Sequence, residues 1–172
     1  LDKSTLRARR GYVLDSGGPI GAIVLSAPSQ DSLRVVVHGK KAHAGSEPEN
    51  GINAIRVASE AIAAMPLGRI DPETTANIGI IEGGLATNIM PDEVRIRGEA
   101  RSRDIRKLEA QTAAMVRAFE EAAARHGAKA EIAVNRSYNA YRLAPDNPVV
   151  AAAAAAATRL GFTPLYKESG GG

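Results

Sequence analysis

Val35-Val36-Val37-His38-Gly39-Lys40-Lys41-Ala42-His43-Ala44-Gly45-Ser46-Glu47-Pro48 is the stretch whose reading decides the fold. The β-branched run predicts a strand, the small residues around His43 a loop, and Pro48 the approach to a helix. Working upstream, residues 32–38 alternate, with Val35 and Val37 on one face and Arg34 and Val36 on the other. Downstream, Ile52, Ile55, Ala58, Ile62 and Met65 recur at helical spacing, which predicts a helix from about 50 to 65 that Pro66 and Gly68 stop.

The pattern continues with a strand at 75–81 and a second loop, Glu82-Gly83-Gly84-Leu85-Ala86-Thr87-Asn88-Ile89-Met90-Pro91. Residues 92–101 then alternate: Val94, Ile96, Gly98 and Ala100 face one way, Arg95, Arg97, Glu99 and Arg101 the other. Asp104 is placed to cap a second helix running to about 125, with the stripe Ile105, Leu108, Thr112, Met115, Val116 and Phe119. His126-Gly127 ends it, and a last strand at 130–135 points Ile132 and Val134 inward.

The order from 32 to 138 is therefore β-α-β-β-α-β. One polar sheet face and two amphipathic helices are best buried with both helices on one face of a four-stranded antiparallel sheet, an α+β, ferredoxin-like arrangement. Residues 75–81 become an edge strand by this topology. Edges invite pairing, so a two-fold dimer through that strand and the first helix is expected.

The flanks read differently. Residues 11–15 (GYVLD) form a short apolar strand before the turn cluster Ser16-Gly17-Gly18-Pro19, and 20–26 form a second strand. Ala27-Pro28-Ser29-Gln30 marks a boundary. Beyond Leu143, Pro145-Asp146-Asn147-Pro148 opens an alanine-rich helix over 149–160, Gly161 stops it, and a strand at 165–167 leads to Glu168-Ser169-Gly170-Gly171-Gly172. Residues 1–28 and 143–172 thus look like pieces of one domain into which 29–142 is inserted. The chain opens at Leu1 without Met and stops in a glycine run, so a segment of a longer protein is expected.

Composition narrows the chemistry. With 44% apolar and 24% charged residues over 172 positions, the chain is an ordinary globular one. It has no cysteine, which excludes disulfides, thiolate metal sites and a cysteine nucleophile, and fits a reducing, cytoplasmic setting. The longest apolar run, 149–157, falls far short of the roughly 20 residues a membrane span needs, and no secretory pattern opens the chain. The net charge of +3 is scattered, and four Tyr and two Phe supply no stacking strands, so neither nucleic acid nor membrane is an expected partner.

Few residues stand out as chemistry. His43 is a loop imidazole kept accessible by Ala42 and Ala44; a solvated ring and a functional one both fit. His38 and His126 read as structural. Asn88 is either a turn residue or an amide donor to a developing oxyanion. Arg101, at a strand end on the polar face, is either solvated or a bidentate carboxylate holder. Asp15, following an apolar strand and preceding glycines, is either a turn former or a ligand at a strand's carboxyl end.

Taken in order, GYVLDSGG, VHGKKAHAGSEPENGINAI, GGLATNIMPDEVRIRGEAR and ESGGG resemble the dinuclear-zinc metallopeptidase family of peptidase T, carboxypeptidase G and aminoacylase type, closest to its peptidase T-like members. The resemblance covers nearly the whole chain. It implies a dimerisation, or lid, domain at 29–142, flanked by strips of an α/β catalytic domain at 1–28 and 143–172. It implies that Asp15 ligates one of two zinc ions (or cobalt or manganese). It implies that His43 enters the partner subunit's site to stabilise a tetrahedral oxyanion. Asn88 and Arg101 would hold a peptide or N-acyl amino acid, Arg101 by its carboxylate, and Gly170 and Gly171 would offer backbone to it. The family's remaining metal ligands and its catalytic glutamate pair would fall before Leu1 or after Gly172. This segment alone is therefore expected to be inactive and to bind no metal, one carboxylate being too few ligands. The alternative is a stand-alone ferredoxin-like module that binds a small ligand or a protein without catalysis; such a module has no use for the two flanks.

Overall fold

The structure, a computed structural model, describes residues 3–5 and 7–171. Leu1 and Gly172, the two ends noted above, lie outside them. Strand β1 covers Ala22–Ala27, β2 Ser29–His38 and β3 Ala42–His43. A 3-10 turn at Pro48–Asn50 precedes helix α1, Ala54–Ala64. Strands β4 (Gly68–Arg69), β5 (Thr74–Gly83), β6 (Ile89–Met90) and β7 (Glu93–Ser102) follow, then helix α2, Ile105–His126. The chain closes with β8 (Lys129–Tyr138), β9 (Tyr141–Arg142), helix α3 (Pro148–Arg159) and β10 (Leu165–Glu168). It divides into two units, Pro28–Ala140 with Gly170–Gly172, and Leu1–Ala27 with Tyr141–Ser169.

In the larger unit the sheet order is β4-β5-β7-β2-β8 with every neighbouring pair antiparallel. The β-α-β-β-α-β order read from the sequence is the observed one. At the centre, Val35 lies opposite Ile96 and Val37 opposite Val94. All four are essentially without solvent contact, together with Val57, Ala58 and Ala61 of α1 and Leu108, Met115 and Phe119 of α2. Both helices therefore bury one face of the sheet, and the alternation in β7 decided which face.

Several details differ from the expectation. The short β4 pairs with Thr75 and Ala76, so the sheet has a fifth strand and the β5 edge is bare only from Asn77 onward. A register shift between Ile78 and Ile80 bends that bare stretch. The first helix starts later than expected, at Ala54, because Asn53 caps it, its side-chain oxygen accepting from the Arg56 N–H at 3.1 Å. Its buried stripe is Ala54, Val57, Ala58 and Ala61, and Ile55 is turned outward at 39% exposure. Three alanines and a valine let α1 press close on both the sheet and α2. Ile105 is likewise exposed, and Leu108 begins the buried stripe of α2. Val134 faces the helices opposite Leu33 but sits on the edge strand β8 and remains 44% exposed.

Helix α2 begins as its sequence signals. The Asp104 side chain accepts from the backbone N–H groups of Arg106 and Lys107, bonds that hold its carboxyl below the usual value. Gly127 ends the helix at φ 63°, a left-handed conformation that suits glycine. One polar cluster is sunk into this layer. Asp31 on β2 is buried, receives the Thr112 hydroxyl at 2.9 Å and is held by the Arg136 guanidinium from β8.

In the smaller unit β10 runs parallel to β1 and β9 antiparallel to it. Helix α3 is capped by Asn147, whose side-chain oxygen accepts from the Val149 N–H at 3.1 Å. Residues 11–15 form no strand. Both sides of β1 are taken by β9 and β10, which leaves no ladder position beside it for that segment. Val13 and Leu14 are exposed, and the Tyr12 hydroxyl donates to the Val149 carbonyl at 2.8 Å. No helix among the described residues is long and apolar enough to cross a membrane.

Candidate functional site

The two loops singled out in the sequence meet. Strands β3 and β6 pair antiparallel, Ala42 with Met90 and His43 with Ile89, and the Ala44 N–H donates to the Asn88 carbonyl at 2.9 Å. The start of the helical segment is tied to both. The Lys40 and Ile52 backbones exchange bonds of 2.9 and 2.8 Å, Gly39 N–H donates to the Asp92 carbonyl, and Ala54 N–H to that of Pro91. Gly39 must be glycine here: a Cβ on it would sit 2.1 Å from the Ile52 carbonyl oxygen.

His43 is exposed, and its ring is fixed by its own loop. Nδ1 accepts from the backbone N–H groups of Gly45 and Ser46, each at 3.1 Å. An imidazole nitrogen that accepts carries no proton, so the proton is assigned to Nε2, which is left as an outward-facing donor. Asn88 is exposed in the adjoining loop, and its carboxamide has no hydrogen-bond partner among the described residues. A hollow of about 450 Å³ opens beside this loop, lined by Lys41, Glu82, Gly84, Leu85, Ile89 and Arg95 among others.

Arg101 is not with them. It occupies the other end of β7, opposite Gln30 and Thr75. The eight steps along the strand from Glu93 to Arg101 cover about 27 Å. Glu99 holds the guanidinium from two positions along the same strand, accepting from Nε at 2.8 Å and from Nη2 at 3.0 Å. That carboxylate raises the guanidinium's already high pKa, against a lowering by burial. Gln30 in turn donates to Glu99 at 2.6 Å. The remaining corner of the fork is turned toward the chain's glycine run: a methyl group on Gly171 would lie 3.3 Å from Nη1, whereas Gly170 faces open space. The signal for Glu99 as partner is present in the sequence, where residues 99 and 101 share a strand face and carry opposite charges.

The structure thus groups His43 with Asn88 at one end of the sheet, and Arg101 with Gly171 at the other. Asp15 is exposed within the unpaired 11–15 segment. Among the described residues no group of three or more His, Cys, Asp or Glu side chains is arranged to hold a metal ion. The donors among the described residues do not fit a dinuclear metal centre.

A family-wide profile of the peptidase dimerisation domain matches residues 29–127, and the chain belongs to that family. Among its relatives, the uncharacterized protein YqjE of Bacillus subtilis is 51% identical over all 172 residues. The aminopeptidase PepT of Bacillus cereus superposes over the whole chain with a TM-score of 0.87 at 49% identity, and a tripeptidase of Staphylococcus aureus with 0.91 at 41%. The chain spans 46% of the length of each of the three, a little under half.

Proposed function

We propose that this chain is the dimerisation part, with strips of the catalytic domain on both flanks, of a longer metal-dependent hydrolase that cleaves peptide or N-acyl amino acid amides. We further propose that two copies pair to complete each other's sites. Support comes from the whole-chain likeness to an aminopeptidase and a tripeptidase, and above all from one observation: the two halves of the site sit at opposite ends of a sheet whose β5 edge is open from Asn77 to Gly83.

A two-fold axis across that edge pairs β5 with its copy in antiparallel fashion. The Gly83 end of one copy then lies beside the Thr75 end of the other. His43 and Asn88 of the second copy come within a few strand spacings of about 4.8 Å of Arg101, whereas within one chain the length of β7, roughly 27 Å, lies between them. In the composite site the chain's own groups have separate tasks. Arg101, oriented by Glu99, offers its free corner to the substrate carboxylate. Asn88 holds the amide, and His43, with its proton on Nε2, donates to the carbonyl oxygen as that oxygen becomes negative. The backbone of Gly170 and Gly171 lines the substrate. The metal pair, zinc or cobalt or manganese, belongs to polypeptide outside this chain, with Asp15 contributing at most one ligand. The lack of cysteine fits a cytoplasmic setting.

Mixing two inactive full-length variants tests this. His43→Ala and Arg101→Ala damage opposite halves, so random re-pairing restores roughly a quarter of the sites, all in mixed dimers. No recovery after verified subunit exchange refutes the shared site. For the segment alone, tight stoichiometric zinc binding in a calorimetric titration contradicts the assignment of the metal to other polypeptide.

A further inference from the structure

The face of the sheet opposite the helices carries a row of charges, and nearly all are neutralised in place. Arg95 is held by Glu93 at 2.7 Å, Arg101 by Glu99 at 2.8 Å and Lys129 by Glu131 at 2.7 Å, while His38 lies between Glu93 and Glu131. Two basic residues at the middle of that face are different. Arg34 on β2 and Arg97 on β7 are directly opposite in the register, both exposed, and neither has a hydrogen bond or ion pair among the described residues. Directly opposed side chains have Cβ atoms about 5 Å apart, a spacing at which like charges destabilise a sheet.

The surroundings are a concavity rather than a flat surface. A hollow of about 230 Å³ is lined by Arg34, Val36, Ile80, Glu82, Arg95 and Arg97. The neighbouring hollows add Ser32, Asn77 and Asn135, neutral groups able to donate to an oxygen. Glu82 is the one acid on the hollow's rim. Its register partner is Arg95, already held by Glu93, so it does not neutralise the arginine pair.

We propose that Arg34 and Arg97 form an oxyanion-binding site, taking a phosphate or carboxylate dianion in the hollow on the helix-free face of the sheet. Two guanidinium forks converging on one cavity match the planar, two-oxygen contacts such anions offer, and a bound dianion converts a repulsive pair into a bridged one. The site lies four residues up β7 from Arg101, about 13 Å away, and does not depend on the peptidase reading.

Titration of the chain with inorganic phosphate, at fixed ionic strength with chloride as the control salt, tests it by calorimetry and thermal melting. Saturable binding is expected with a dissociation constant on the order of 1 mM, the scale of two charge-assisted contacts. Arg34→Gln and Arg97→Gln each weaken it at least tenfold, and Glu82→Gln tightens it. In chloride alone the two arginine variants melt no lower than the parent, because each relieves the opposed charges; a purely structural role for either arginine gives the reverse. Arg97→Lys keeps the charge, loses the fork, and falls between parent and Arg97→Gln. Succinate in place of phosphate distinguishes a carboxylate ligand from a phosphoryl one, the tighter dianion naming the ligand's chemistry. Binding that is equal in both glutamine variants and the parent, or that chloride reproduces, overturns the proposal.

Discussion

Replacing Asp31 by Ala removes a carboxylate that ties three elements of the larger unit together. Asp31 is buried on β2, accepts the Thr112 hydroxyl of α2 at 2.9 Å, and is held by Arg136 of β8, whose second contact is 3.4 Å long. The Thr112 bond is a hydrogen bond to a charged group, worth about 1.5–3 kcal/mol. Arg136 keeps 31% of its side chain in water, so the loss of its partner is discounted for screening to roughly 1 kcal/mol. The total is about 3 kcal/mol, less than a fully buried ion pair because one end is wet. Asp31→Asn retains one acceptor oxygen and should cost about half as much. Urea denaturation of the parent, the two Asp31 variants, Arg136→Met and the double variant gives the numbers. The midpoints should fall with an unchanged slope, and the double-variant cycle should show coupling of roughly 1 kcal/mol. A cost below about 1 kcal/mol for Asp31→Ala, or no coupling to Arg136, refutes the assignment.

Four further outcomes follow from the same geometry. Gly39→Ala drives a methyl group into the Ile52 carbonyl and should cost about 3 kcal/mol in urea unfolding while loosening amide exchange protection at Lys40 and Ile52. The Glu60 carboxyl is held below its usual value of 4.5, first by the His126 bond at 2.5 Å and then by Arg125. A lowered carboxyl contributes stability that is present above its unfolded value and lost as pH falls through the folded one, so Glu60→Gln should flatten the decline in melting temperature below pH 4.5. Nitrogen-resolved NMR at neutral pH should find His43 protonated on Nε2 and bare on Nδ1; the opposite tautomer removes it as an Nε2 donor. Ile81 is half exposed beside the open edge, so burying the remainder is worth about 1 kcal/mol per copy, and Ile81→Asp should raise the dimer dissociation constant at least about thirtyfold in analytical ultracentrifugation.

How far the sequence could be read depended on whether a pattern was local. The alternation of Val94, Ile96 and Ala100, the Asp104 cap and the Gly127 stop need only their neighbours, and each forms as read. The His43 and Asn88 loops meet because both emerge at the same end of the adjoining β2 and β7. What failed depended on packing at a distance. Ile55 fits the helical period as well as Val57 does, and only the closeness of α1 to α2 and the sheet decides which turns inward. The 11–15 segment has a strand's composition, but a strand also needs a neighbour with a free edge. The two-residue β4 is too short to leave a periodic trace, and the burial of Asp31 reflects an arginine 105 positions away. For the site, Arg101 was visible as a charge at a strand end; its separation from His43 required the register.

The kinked, half-covered outer strand has a further consequence for how large an assembly can grow. β4 blocks one end of β5 and the irregularity near Gly79 bends the rest, so the exposed ribbon is short and curved, a poor template for a straight strand. On the far side of the sheet, β8 carries Lys129 and Glu131 at one end and slips register against β2 at the other. Neither border offers a straight, uncharged template of the kind that lets strands add one after another into a fibre.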